Sequence, residues 1–266
     1  MGLRPRAVTR DIEWGIDIPL PGAEWSSKSI YVWFEAVQGY YSCARIWSER
    51  FATTNDHPDG DSAWENWWKK SSNGESPKHI YFMGKDNIPF HTIIWPALIM
   101  GINASANNGD ITNEAFEGDL VLGTNVSSNE YLMLQGGQFS KSRKHAVWLP
   151  SFLERYDADC LRYYLSINMP ETHDTDFRWE EFVDRVNNEL IGTYGNFVHR
   201  VMTLTNRLAT GKGNPVQKYD DIEKYSEIIS QCEDLVRSAI DSMERQRFKE
   251  ALRSIMSIAQ IGNQLL

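Results

Sequence analysis

The amino-acid sequence predicts an α/β fold in which a parallel sheet gives way to an α-helical bundle. Three observations carry that prediction. Short β-branched and aromatic runs alternate with helical patterns through the first half of the chain. Glycine-containing loops follow those runs, where ligands of parallel sheets collect. From about Glu180 the apolar residues recur at three- and four-residue steps instead.

The 266 residues are enough for one large domain or two smaller ones, and 41% hydrophobic with 24% charged residues is ordinary for a globular chain. A net charge of -9 argues against a protein that is basic all over. It leaves room for a local cationic surface on an acidic body. Cys43, Cys160 and Cys232 are far apart with no C-x-x-C pair, which predicts neither a disulfide framework nor a zinc knuckle and fits a reducing cytoplasm. No apolar signal core follows Met1. The run Ile93–Ile102 is too short to span a bilayer and contains Pro96, so no membrane partner is expected.

In order along the chain, Ser29–Phe34 (SIYVWF) predicts a buried strand, and a helix pattern follows over Ala36–Arg50. A polar stretch from Phe51 to Ser76 holds a short helix at Ala63–Lys70. A second strand, His79–Met83, leads through Gly84-Lys85-Asp86 into a helix ending near Ile99. A polar loop at 103–119 precedes a third apolar run, Leu120–Leu122. Phe182, Val183, Val186, Leu190, Tyr194, Phe197, Val201 and Leu204 then mark one long amphipathic helix. After a break at Gly211–Pro215, helices are expected over Ile222–Ser242 and Glu244–Leu266. The last meets no breaker, as expected of a fragment.

Candidate functional residues fall mostly in the loops. No acid occurs between Tyr131 and Leu153, whereas Lys141, Arg143 and Lys144 supply three positive charges beside Ser140 and Ser142. Ammonium groups and hydroxyls on a flexible loop suit leaving phosphates; a plain solvated loop is the alternative. Trp33 and Tyr40 bracket the end of the first predicted strand and suit an apolar pocket wall, or simple core filler. Gly84 permits close backbone approach, and Asp86 suits a ribose diol or a helix N-cap. His91 is a pocket or core histidine, and Asp17 a ribose contact or a turn residue. Asn196 and Arg200 stand four apart on one helix face, able to bond base edges or to lie in a solvated polar face.

Several of these segments resemble one family. Gln138-Phe139-Ser140-Lys141-Ser142-Arg143 resembles the KMSKS loop of class I aminoacyl-tRNA synthetases, and Asp157-Ala158-Asp159-Cys160-Leu161-Arg162-Tyr163-Tyr164 resembles the segment that follows it. Tyr31-Val32-Trp33-Phe34-Glu35-Ala36-Val37-Gln38-Gly39-Tyr40 is similar to the Y-V-W-[FL]-[DE]-A-P-x-G-Y stretch of methionyl-tRNA synthetases. Gly84-Lys85-Asp86 with Phe90-His91 and Trp95-Pro96-Ala97 is similar to G-K-D-x-x-x-F-H…W-P-A of the same family. Thr9-Arg10-Asp11 and Gly15-Ile16-Asp17-Ile18-Pro19 match its early [ST]-R-D…G-x-[DE]-[IV]-P segment.

The resemblance runs from about Arg4 to Leu266 and implies the second half of a Rossmann-like sheet with a KMSKS-type loop region. Its domains would be 1–135, the catalytic half; 136–175, the loop and stem-contact region; and 176–266, the anticodon-binding helices. It implies activation of methionine with ATP to methionyl-adenylate, then transfer to tRNA(Met). Lys141 and Ser142 would be catalytic on the phosphates, with Gly84, Asp86, Asp17 and Lys141 on ATP. Trp33, Ala36, Tyr40 and His91 would form the methionine pocket, and Asn196 and Arg200 would read the CAU anticodon. ATP enters with Mg2+ as substrate, and no zinc or other metal ligands are expected.

Departures matter too. Gln138 stands for the first Lys of the loop, Phe139 for Met, and Val37 for the family's usual Pro. His57, His79, His91, His145, His173 and His199 stand alone, so no H-x-G-H tetrad occurs. A missing N-terminal half is therefore an expected partner, and the chain by itself is expected to be inactive. A non-catalytic tRNA-binding protein on a synthetase scaffold, or another class I synthetase, remains the alternative.

Overall fold

The computed structural model describes residues 5–106, 119–210 and 222–266. Most of the predicted 103–119 loop and the Gly211–Pro215 break lie outside the described residues. The chain divides into two compact units, Met1–Ser128 and Asn129–Leu266.

In the first unit, strand β1 (Thr9–Arg10) pairs antiparallel with β2 (Ser29–Ile30). The chain at Ile16 and Asp17 crosses the same strand: the Ile30 N–H donates to the Ile16 carbonyl at 2.8 Å, and Asp17 bridges Ser29. This crossing requires glycine at position 15, which has φ +142; a Cβ there would lie 2.8 Å from that of Ser29.

The predicted strand over Ser29–Phe34 stops at Ile30. Helix α1 (Val32–Ala36) begins after Tyr31, and α2 (Gly39–Trp47) follows. Val32 and Trp33 are exposed, whereas Val37 joins the core. β-branched and aromatic residues favour a strand only where a neighbouring strand receives them. The last backbone bond to the neighbouring strand is from the Tyr31 N–H to the Val8 carbonyl at 2.8 Å; beyond it a helix satisfies the backbone locally, as in the 2.8 Å bond from the Phe34 N–H to the Tyr31 carbonyl. Val37 has φ -63, a value open to proline, but its N–H bonds the Glu35 carbonyl, a contact that proline would lack.

The short helix α3 (Glu65–Trp68) and strand β3 (Ile80–Gly84) form where the sequence pattern puts them. Strand β3 pairs with β4 (Asn125–Asn129). From Lys85 the chain is helical for 22 residues: a 3-10 turn at Lys85–Asn87, a wide π turn at Phe90–Ile94, then α4 (Trp95–Ala106). By length and composition alone this run suffices to cross a membrane, longer than the apolar stretch read from the sequence. Its Trp95, Ile99 and Asn103 are nevertheless buried in the unit's core, with Trp64, Trp68, Tyr81 and Leu120. The Trp95 indole donates to the Tyr81 hydroxyl at 2.8 Å. The Asn103 amide exchanges two 3.1 Å bonds with the Leu120 backbone. Leu120 thus makes an isolated bridge to Lys69, and no strand forms over Leu120–Leu122.

The second unit opens with β5 (Leu132–Leu134), which pairs parallel with β6 (Thr175–Phe177). Between them lie a hairpin loop, α5 (Leu149–Leu153) and α6 (Ala158–Ile167). Asp157 caps α6, its carboxylate accepting the Asp159 N–H at 2.8 Å. The long helix is unbroken but not uniform: α7 (Trp179–Arg185), a ten-residue π segment (Val186–Gly195) and α8 (Asn196–Thr210). Helices α9 (Ser226–Glu244) and α10 (Phe248–Leu265) complete the unit. Leu134, Phe152, Tyr164, Phe177 and Phe182 form its core, so the expected divisions at 135 and 175 fall just past the unit boundary and inside a single unit.

Among the described residues the strands form three separate two-stranded pairs rather than one sheet; β1 and β2 run antiparallel, β5 and β6 parallel.

Candidate functional site

Four residues from two separate motifs meet in the first unit. Trp33 and Ala36 from α1, Tyr40 from α2 and His91 from the π turn line one cavity of about 260 Å³, with Phe82 and Phe90. The Tyr40 hydroxyl lies 2.9 Å from His91 Nε2, and His91 Nδ1 lies 2.9 Å from the Asn87 carbonyl. A carbonyl can only accept, so Nδ1 carries the proton, and Nε2 accepts from Tyr40. Tyr81, whose own hydroxyl is pushed up by burial, packs against both rings with centroids 5.2 and 5.6 Å away. The cavity is therefore aromatic, with one oriented hydroxyl–imidazole pair. Trp33 remains 55% exposed, forming an open wall.

Phe82 and Phe90 were legible only in part. Phe82 alternates with buried Tyr81 on β3, and Phe90 stands beside His91 in the quoted motif, but neither pattern says which cavity it enters.

Gly84 is the residue before the 3-10 turn, and a Cβ there would meet nothing within 4 Å. The fold does not demand glycine at this point. Asp86 lies inside the turn rather than at its N-cap, which corrects the capping alternative, and its side chain is exposed. Asp17 is exposed on the bridge to Ser29, so it is more than a turn residue.

The cationic loop belongs to the second unit and is a closed hairpin. Ser140 and His145 exchange backbone bonds of 2.9 and 3.0 Å, and the Lys144 N–H reaches the Lys141 carbonyl at 3.1 Å. Lys144 takes φ +53 to close the turn. The Ser140 and Ser142 hydroxyls lie 3.2 Å apart, and Ser140 Oγ accepts the Arg143 N–H at 3.3 Å. His145 Nε2 lies 2.8 Å from the Leu134 carbonyl. At the base, Asp176 accepts the Gly136 N–H with both oxygens, at 3.0 and 2.9 Å, and pairs with Arg178 at 2.8 Å. Lys141, Ser142, Arg143 and Lys144 are exposed at the tip, and the three cations have no ion-pair partner among the described residues. An outward cluster of uncompensated cations is what an anion needs. A cavity of about 550 Å³ opens beside it, lined by Lys144, His145, Trp148, Arg155 and Trp179.

Asn196 and Arg200 do share a face of α8, and both engage Asn263 of α10. Asn196 Nδ2 donates to Asn263 Oδ1 at 3.2 Å, and Arg200 Nη1 to the Asn263 carbonyl at 2.9 Å. The sequence pattern did not mark Asn263 or Asp176. Each acts across a long chain separation that no local spacing records.

Among the described residues, no three His, Cys, Asp or Glu side chains gather as a metal site.

An α/β unit with an aromatic cavity, followed by a unit with a cationic loop and a helical bundle, defines a scaffold of the synthetase class. Its fold matches that of Mycobacterium tuberculosis methionyl-tRNA synthetase bound by methionyl-adenylate, with TM-score 0.67 and 22% identity over 99% of this chain and 44% of that one. The family model described as tRNA synthetases class I (M) matches residues 1–202, and the chain belongs to that family. It is 41% identical over all 266 residues to a methionine–tRNA ligase of Roseiflexus sp. (strain RS-1). It is 43% identical over 265 residues to one of Dehalococcoides mccartyi. The chain spans about two fifths of the length of these curated relatives, 41% and 42% respectively.

Proposed function

We propose that the chain is part of a cytoplasmic methionine–tRNA ligase, which joins methionine to ATP as methionyl-adenylate and passes the methionyl group to tRNA(Met). The observation that carries this reading is the meeting of Trp33, Ala36, Tyr40 and His91 around one small aromatic cavity. A thioether packs well against aromatic rings. The remaining assignments follow from the family. Gly84, Asp86 and Asp17 serve the adenosine ribose, and the sheet of the whole protein continues the Rossmann-like pattern around β3. Residues 1–135, 136–175 and 176–266 serve as catalytic half, loop region and anticodon-binding helices.

In the reaction the methionine carboxylate attacks the α-phosphorus of ATP, and the bond to the bridging oxygen of pyrophosphate breaks. Negative charge grows on the departing phosphates. The Lys141 ammonium and the Ser142 hydroxyl stabilise that charge, in a loop whose closed hairpin leaves both outward. Mg2+ accompanies ATP as part of the substrate. The terminal hydroxyl of tRNA then attacks the carbonyl carbon and releases AMP. Phosphate-stabilising histidines of the H-x-G-H type are absent from this sequence and belong to the rest of the ligase.

The test is methionine-dependent exchange of pyrophosphate into ATP by the whole protein containing this chain. Exchange is expected with methionine and not leucine, and Lys141→Ala is expected to slow it by about a hundredfold, the usual cost of one oxyanion-type stabiliser. The chain alone is expected to give none. Exchange driven by leucine, or unaffected by Lys141→Ala, contradicts the reading.

A further inference from the structure

The geometry points to Asn263 as the positioning residue that holds Asn196 and Arg200 in the arrangement that reads a base. The inference rests on the proposal that these two side chains contact the anticodon.

Four hydrogen bonds converge on this one residue. Asn263 Nδ2 donates to the Thr193 carbonyl at 2.8 Å, in the last turn of the π segment. That carbonyl can only accept, which fixes the amide's orientation and turns Oδ1 toward α8. Oδ1 then accepts from Asn196 Nδ2 at 3.2 Å and Arg200 Nη1 at 3.4 Å, while the Asn263 main-chain carbonyl accepts the same Nη1 at 2.9 Å. The approach of the two helices makes this possible. Gly262 lies so close to Phe197 that a Cβ would stand 2.2 Å from its ring, which brings α10 against α8 beside Asn196.

What remains free is the part that a base would need. Asn196 Oδ1, and Arg200 Nε and Nη2, have no partner among the described residues. One acceptor and two donors are thus presented at fixed spacing, while the groups that face the protein are occupied. A guanidinium held by two contacts loses less rotamer freedom on binding. Replacing Asn263 by alanine removes both Oδ1 contacts, which frees Asn196 and leaves Arg200 held by the main-chain carbonyl alone, so it should lower discrimination between bases more than it lowers attraction to phosphate.

The experiment measures binding of two RNA hairpins to the chain, one with a C-A-U loop and one differing only by U in place of that C. Arg200→Ala is expected to lower affinity for the C-A-U hairpin about tenfold. Asn263→Ala is expected to reduce the ratio between the hairpins by a similar factor. It should add less in an Arg200→Ala background than in the wild type, the remainder acting through Asn196. Asn263→Asp retains oxygens that accept from Asn196 and Arg200 but loses the donor to the Thr193 carbonyl, and is expected to keep part of the ratio, between wild type and Asn263→Ala. It carries the test if the alanine variant melts early. Discrimination kept within twofold in Asn263→Ala, but lost in Arg200→Ala, overturns the positioning role and leaves the anticodon reading standing. Additive losses from Asn263→Ala and Arg200→Ala, with no rescue by Asp, also overturn it as a plain stability effect. No loss in either Asn196→Ala or Arg200→Ala refutes the anticodon reading, and the inference with it.

Discussion

Tyr40 and His91, fifty-one positions apart, meet through a 2.9 Å contact between hydroxyl and Nε2. Because His91 Nδ1 faces the Asn87 carbonyl at 2.9 Å, the neutral ring holds its proton on Nδ1. Long-range 15N–1H spectra should show that tautomer for His91 at neutral pH. Tyr40→Phe should change its Nε2 shift while leaving the Nδ1 proton in place. An Nε2-protonated ring in the wild-type chain contradicts the arrangement.

The cationic loop depends on Asp176, whose side chain is only 21% exposed and which accepts the Gly136 N–H with both oxygens. Hydrogen bonds to a charged group contribute roughly 1.5–3 kcal/mol. Asp176→Ala is expected to destabilise the second unit by about that much in urea unfolding, and to speed amide exchange at Gly136. Unchanged exchange there rules out the clamp.

Alkaline stability turns on Tyr163. Burial, then its 2.5 Å bond to the Glu189 carboxylate, pushes its hydroxyl well above the ordinary value near 10. The unfolded chain releases this proton near the ordinary value, and the folded chain does not. The linked stability is therefore complete below that value and lost as pH climbs beyond it. Burial acts in the same direction on Tyr164 and, in the first unit, on Tyr81. Unfolding followed across the alkaline range should show stability falling with pH, and Tyr163→Phe should flatten part of the slope. A slope unaltered by Tyr163→Phe removes this residue from the account.

At Gly262 two opposed effects can be weighed. Alanine favours a helix over glycine by about 1 kcal/mol. A new Cβ placed 2.2 Å from the Phe197 ring forces a repacking that costs roughly 1–3 kcal/mol. Overpacking wins, so Gly262→Ala should lower the thermal midpoint. A raised midpoint shows that α8 and α10 separate easily.

By itself, the sequence determined what is written in local periodicity and local charge. The steps from Phe182 to Leu204 specify one long helical run, the apolar residues before Gly84 specify strand β3, and the acid-free window around Lys141 specifies a cationic loop. The four-residue spacing of Asn196 and Arg200 specifies a shared face. Tertiary structure decided whatever depends on a distant partner. Val32, Trp33 and Phe34 carry strand-forming side chains, yet they coil into α1 because the bonds to the neighbouring strand end at Tyr31. The meeting of Trp33 with His91, the Asp176 grip on Gly136 and the Asn263 contacts with Asn196 and Arg200 all join residues far apart in the chain. Periodicity tells each backbone segment which face to bury. Only packing selects the side chain that waits on the other side.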